Sequence, residues 1–403
     1  MAIHRVFLIV LDSFGIGQAP DAAAYGDHDC NTLKSIVNSP FYKTDHLQQL
    51  GLFNIEGITC GKKTVQPLGA FGRLQEQSKG KDTTIGHWEI SGILSSNPLP
   101  TYPDGFPPAL IKELESALGR KLLCNKPYSG TAVIHDYGRE HLASGDLIAY
   151  TSADSVLQLA AHEQVIAPEQ LYDYCRQARS VLTGVHGVGR VIARPFTGSY
   201  PDFERTPRRH DFSLLPPGIT MLDTLSESGL TTIGIGKISD IFAGRAISRS
   251  QTITGNDDGM RQAIACLEDD FSGLCFVNLV DFDMKYGHRR DIDGYAKAAS
   301  AFDLQLGQFM ARMKDEDVLM ITADHGCDPG AAGTDHTREY VPWLIFGKQI
   351  HAGVDLKTAP TFANIAATIL DLFSLPITTA GQSVLPQILK QYPSEMRPNN
   401  ANV

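Results

Sequence analysis

The 403-residue sequence predicts an α/β protein: a mostly parallel sheet sandwiched by helices, carrying an inserted smaller α/β domain. Three observations lead there. Short apolar, β-branched runs read as buried strands. Helix-length amphipathic segments lie between many of them. Two proline clusters bracket a middle stretch that has strands and helices of its own. Continuous apolar strands alternating with helices are the pattern of a sheet covered on both faces.

In chain order, the strand runs are "RVFLIV" (Arg5–Val10), "LIAYTS" (Leu147–Ser152), "GRVIAR" (Gly189–Arg194), "TTIGIG" (Thr231–Gly236), "LCFVNLV" (Leu274–Val280), "VLMIT" (Val318–Thr322) and "WLIFG" (Trp343–Gly347). The amphipathic segments Pro108–Leu118, Pro168–Leu182, Asp257–Leu267, Ile292–Met313 and Thr361–Phe373 predict helices. The clusters "NPLPTYPDGFPP" (Asn97–Pro108) and "LLPPG" (Leu214–Gly218) mark an insertion at residues 99–216, which divides the core into residues 1–98 and 217–403. The tail "YPSEMRPNNANV" reads as frayed.

Composition narrows the function. Hydrophobic content of 42% and charged content of 20% are those of an ordinary soluble globular chain. A net charge of −10 argues against nucleic acid and against an anionic membrane surface as partners. The seven cysteines are widely spaced and form no CxxC pair, which points to a reducing cytoplasm rather than a disulfide framework or a thiolate zinc site. The apolar run near the N-terminus ends at Asp12, too short for a membrane span and without a cleavage signal, so it is read as a strand. Nothing in the sequence indicates an oligomeric state.

Three apolar strands end in acid. One ends at Asp12, one at Asp281 and Asp283 with His288 five residues beyond the latter, and one at Asp324 and His325. In an open parallel α/β sheet, ligands bind beyond the carboxyl ends of the strands, so residues far apart in sequence converge there. His336, in the loop after Asp324, is the natural sixth member. Six such groups exceed the needs of one ion, and clustered carboxylates repel unless cations neutralise them. A pair of divalent ions satisfies both conditions, and a mixed carboxylate–imidazole set suits manganese or zinc better than calcium. Asp281 and Asp335 are left out of the set. The segment "GKDTTIGHWEISG" (Gly80–Gly92) reads as a loop entering a helix, with Asp82, Thr83 or Thr84 near the cap. A threonine there, beside a metal, is a candidate nucleophile, because a helix N-terminus favours an anion.

Taken together, "VLDSFGIGQAPDA", "GKDTTIGHWEISG", "YTSADSVLQLAAHE", "GRVIARPF", "RTPRRHDF", "IGKISDI", "NLVDFDMKYGHRRD" and "ITADHGCDPGAAGTDHTREYVP" closely resemble the phosphopentomutase family of the alkaline phosphatase superfamily. The likeness spans almost the whole chain, insertion included. It implies an alkaline-phosphatase-like core with a cap, and interconversion of ribose 1-phosphate and ribose 5-phosphate or their deoxyribose equivalents. It also implies two manganese ions, with zinc or magnesium as lesser alternatives. One ion would be held by Asp283, His288 and His336, the other by Asp12, Asp324 and His325. Thr83, directly after Asp82, would be the phosphorylated nucleophile, primed by a sugar bisphosphate such as glucose 1,6-bisphosphate. Cap residues Arg190, Arg205, Arg208 and Arg209, with Lys237 on the core side, would hold the distal phosphate, and Asp154 would bind sugar hydroxyls. The rival readings are a related phosphatase or metal-dependent phosphoglycerate mutase, and a non-catalytic phosphosugar- or metal-binding protein.

Overall fold

Fourteen strands build two sheets in the computed structural model, which describes residues 3–390. In chain order they are β1 (Arg5–Leu11), β2 (Ala70–Leu74), β3 (Leu122–Pro127), β4 (Leu147–Thr151), β5 (Val156–His162), β6 (Arg190–Ser199), β7 (Asp202–Arg205), β8 (His210–Ser213), β9 (Thr231–Ile235), β10 (Arg249–Gln251), β11 (Gly273–Leu279), β12 (Asp317–Thr322), β13 (Val341–Phe346) and β14 (Asp355–Ala359). The predicted tail lies outside the described residues. The chain forms two compact units, the first made of residues 1–97, 216–239 and 244–403, the second of residues 98–215 and 240–243.

The first unit holds an eight-stranded sheet in the order β10-β9-β11-β1-β12-β13-β2-β14. β13 alone runs against the rest. β1, β11 and β12 are buried along their whole length, which is why their sequences show no polar alternation. β1 lies between β11 and β12 and is parallel to both, so three acid-bearing strand ends share one edge of the sheet. Arg5 at the base of β1 is buried and makes a two-pronged pair to Asp317 of β12 at 2.8 Å, which locks the register between the two strands.

The second unit holds the sheet β3-β4-β5-β6-β7, with β8 also paired to β6. Strand periodicity sorts its side chains onto two faces. Leu147 and Ala149 of β4 join the helices Pro108–Leu118 and Pro168–Val181 in one cluster, whereas Ile148 and Tyr150 join Val133 and Ile134 of the helix Gly130–Ser144 in the other. The sequence pattern does not show that helix, nor β2, β3, β5, β7, β8, β10 and β14. Its own face is mixed, with His, Asp and Arg interrupting the apolar stripe.

Two predicted helices miss an end by more than one residue. The segment expected from Thr361 begins at Asn364, because the Thr361 hydroxyl and the Phe362 N–H both donate to the buried Glu89 carboxylate instead of entering a helical ladder. The segment expected from Asp257 begins at Asn256 and ends at Ala265. Among the described residues no helix is long and apolar enough to cross a membrane.

Candidate metal centre and nucleophile

Each element delivers its donor by a local device. Asp12 directly follows β1 and precedes Ser13, which has a left-handed φ of 77°. That turn aims the Ser13 N–H at Asp324 Oδ1, 3.0 Å away. Beyond β11 the chain makes one turn of π-helix, Phe282–Gly287, in which the His288 N–H donates to the Asp283 carbonyl at 3.3 Å. A five-residue hydrogen-bond step brings residues five apart to one face, so Asp283 and His288 point the same way. Beyond β12 come Asp324 and His325. The following loop folds back on itself through paired Gly326–Thr337 backbone bonds, which returns His336 to the same place.

The six candidate ligands converge. His325 Nε2 lies 3.4 Å from both Asp12 Oδ1 and Asp324 Oδ2. His336 Nε2 lies 3.3 Å from Asp283 Oδ1 and 3.1 Å from His288 Nε2, and His288 Nε2 lies 3.3 Å from Asp283 Oδ2. The groups that could hold an ion are Asp12–Asp324–His325, Asp283–His325–His336 and Asp283–His288–Cys327. Asp12 and Asp324 are fully buried. Asp12 Oδ1, Asp283 Oδ1 and Asp324 Oδ2 have no hydrogen-bond donor among the described residues, and these are the oxygens that face the imidazoles. Buried carboxylate oxygens without donors cost free energy unless a cation meets them. The donor set therefore fits divalent ions.

Electrostatics agree. Burial pushes Asp283 up, but His288 and His336 overcome it and hold its carboxyl well below the usual range. Asp324 is likewise raised by burial yet brought down to about 2 by His325 and His87. The Asp283 carboxylate, with Cys327 second, lifts His288 to about 11.

Thr83 is the first residue of the helix Thr83–Ile90. Asp82 caps that helix, accepting from the N–H groups of Thr84 and Ile85 at 3.0 and 3.1 Å. The Thr83 hydroxyl lies 3.2 Å from His325 Nε2, on the edge of the cluster. Gly86 is required by close approach: a Cβ there would sit 2.1 Å from the Asp324 carbonyl oxygen. The helix backbone thus presses directly on the end of β12.

The two acids left out of the set do other work. Asp281 Oδ2 accepts from the Asn256 N–H at 2.9 Å and pairs with Lys285. Asp335 is 76% exposed, accepts from the His336 N–H and pairs with Lys81 at 3.2 Å. Cys327 Sγ packs beside His288, 3.9 Å from Nδ1.

A separate pocket of about 340 Å³ lies within the second unit, lined in part by Asp154, Arg190, Arg205 and Arg209. Asp211 pairs with Arg209 at 2.6 Å and with Arg190 at 3.5 Å. Arg208 is not in the lining. It sits in the short link between β7 and β8, where Glu163 captures its guanidinium, so the expected phosphate role has no support here. Lys237 belongs to the first unit, just past β9. Arg194 lines the pocket and was missed, although Arg190, Ile192 and Arg194 alternate along β6 and so share one face. His87, Asn278 and Arg338 were missed too. Asn278 donates to Asp12 Oδ2 at 2.9 Å, and Arg338 donates to the Gly80 carbonyl at 2.7 Å.

Comparison with known proteins agrees with this construction. The metalloenzyme superfamily pattern matches residues 4–377. The phosphopentomutase of Lachnoclostridium phytofermentans is 55% identical over 96% of this chain and 100% of its own length. Those of Acetivibrio thermocellus and Carboxydothermus hydrogenoformans are each 51% identical, again over 96% of this chain and 100% of their own. With identity at that level across nearly the full length of both partners, the chain belongs to the phosphopentomutase family of the metalloenzyme superfamily.

Proposed function

We propose that the protein is a phosphopentomutase, an isomerase that moves a phosphoryl group between O1 and O5 of ribose or 2-deoxyribose. The observation that carries this reading is a threonine hydroxyl at a helix N-terminus, 3.2 Å from the buried His325 imidazole of a six-residue Asp/His cluster. Full-length identity to phosphopentomutases supports the substrate class.

In this reading Asp12, Asp324 and His325 would hold one divalent ion, and Asp283, His288 and His336 would hold the other, manganese being the preferred metal. Bound there, the ions would supply Lewis acidity and neutralise charge on the transferring oxygens. The chain's own residues do the rest. Thr83 carries the phosphoryl group as phosphothreonine, and the helix N-terminus stabilises its oxygens. It transfers the group to the free hydroxyl of a bound pentose monophosphate, and its own hydroxyl oxygen is the leaving group. The resulting 1,5-bisphosphate returns its other phosphate to Thr83. A sugar bisphosphate such as glucose 1,6-bisphosphate primes the resting threonine. Arg190, Arg205 and Arg209 bind the phosphate that is not being transferred, and Asp154 accepts from sugar hydroxyls. A mutase, unlike a phosphatase, must keep water from the phosphothreonine. The free cysteines fit a cytoplasmic setting.

Incubation with ribose 5-phosphate tests the reading. Formation of ribose 1-phosphate without free phosphate is expected. Release of inorganic phosphate as the main product would instead identify a phosphatase.

A further inference from the structure

One buried side chain touches both the candidate nucleophile and a candidate metal ligand. His87 is fully buried on the helix that begins at Thr83. Four residues on from Thr83, its side chain leans toward the helix N-terminus and reaches the first turn. Nδ1 lies 2.8 Å from the Thr83 carbonyl oxygen and 3.1 Å from Asp324 Oδ2. Both neighbours are acceptors, so Nδ1 carries the hydrogen. The ring stacks on Phe276, with centroids 5.7 Å apart and planes 28° apart. Nε2 has no hydrogen-bond partner among the described residues.

That last fact separates two roles. A residue kept only to fill space against Phe276 has no need of ring nitrogens, and a buried nitrogen without a partner is a cost that an apolar ring avoids. The polarity of the side chain is used through Nδ1 alone. Gly86 lets the helix close on the end of β12, and this approach sets the distance that Nδ1 spans.

We propose that His87 is a positioning residue: its Nδ1–H, donated to the Thr83 carbonyl, holds the ring 3.1 Å from the Asp324 carboxylate and so keeps the first turn of the nucleophile helix beside that ligand, fixing the Thr83 hydroxyl against one metal site. The inference rests on the reading of Thr83 as nucleophile and of Asp324 as ligand. Side chains that orient a metal ligand from behind typically matter by about 10–100-fold in metal affinity or activity.

Two variants isolate the donor. His87→Phe keeps the stacked ring and loses the N–H, and His87→Asn keeps an amide N–H near the Nδ1 position. For each, four quantities are measured: manganese affinity by competition with an indicator dye, Thr83 phosphate by intact mass after priming with glucose 1,6-bisphosphate, kcat and KM for ribose 5-phosphate, and the melting midpoint. His87→Phe is expected to lose about 10–100-fold in kcat and in affinity at one of two manganese sites, with KM little changed. His87→Asn is expected to recover most of the loss. If His87→Phe does not fold, His87→Leu takes its place. A donor-less variant with wild-type kcat and manganese affinity would overturn the proposal, and so would a His87→Asn variant as impaired as His87→Phe. Wild-type protein that acquires no phosphate on Thr83 would overturn the underlying reading, and this one with it. A phosphorylated wild type beside an unaffected His87→Phe would overturn this one alone.

Discussion

The metal centre of the first unit and the arginine pocket of the second are built on opposite plans. In the centre, donors come from the ends of three strands held in register on both sides, and Asp12, Asp324 and His325 are essentially buried. Backbone devices aim them: a left-handed Ser13, a π turn and a loop closed by paired backbone bonds. In the pocket, Arg190 and Arg209 are 37% and 42% exposed, and they are oriented by acids such as Asp211 rather than by backbone. The contrast teaches that the same charge chemistry has two uses. Buried groups without donors demand a fixed ion, whereas half-exposed arginines paired to acids can exchange those partners for a substrate phosphate.

The largest effect should come from breaking the buried side. Asp324→Asn is expected to lower kcat by about 10²–10³-fold and to reduce bound metal, as read by turnover and elemental analysis of the same sample. Wild-type metal content in that variant would remove Asp324 from the ligand set. The exposed side should respond differently. Arg190→Ala and Arg194→Ala are expected to raise KM for ribose 5-phosphate by about tenfold with a smaller change in kcat, since a charge-assisted phosphate contact contributes roughly 1.5–3 kcal/mol. An unchanged KM in both would leave the pocket without its proposed phosphate.

A gentler comparison uses pH. Ligand imidazoles must shed their protons to bind an ion, so the gain in melting temperature on adding manganese should be larger near about pH 8 than near about pH 6. A gain that does not grow with pH would mean that the imidazoles are not the ligands. The smallest effects are expected at Asp335→Asn and Arg208→Ala. Each breaks an ion pair in which the replaced side chain is itself exposed, worth about 0–1 kcal/mol, and turnover within about threefold of wild type is expected. Asp335→Asn as damaging as Asp324→Asn would erase the distinction between the two Asp-His pairs.

Much of the centre could be read before the fold was known, because its donors end apolar runs. Asp12, Asp283 and Asp324 are marked by the strands that precede them, and strand ends in a parallel sheet share an edge. The two proline clusters overlap the points where the chain passes between the units, at Pro98 and Pro216, while Asp240–Ala243 of the second unit carries no such mark. What could not be read depended on the third dimension. The π turn that unites Asp283 with His288 leaves no periodic signature in six residues. His87 looks like any buried helix residue until Asp324 is placed beside it. Arg208 and Arg209 are neighbours in sequence, yet Glu163 takes one and Asp211 the other, and only the fold decides which faces the pocket.

The central claim is that Thr83 carries the phosphoryl group. Intact mass and peptide mapping of the protein after priming with glucose 1,6-bisphosphate, before and after a chase with ribose 5-phosphate, test it most directly. The account predicts one phosphate, localised to Thr83 and discharged by the pentose phosphate. A phosphate on another residue, or a Thr83→Ala variant that retains wild-type mutase turnover, would contradict it.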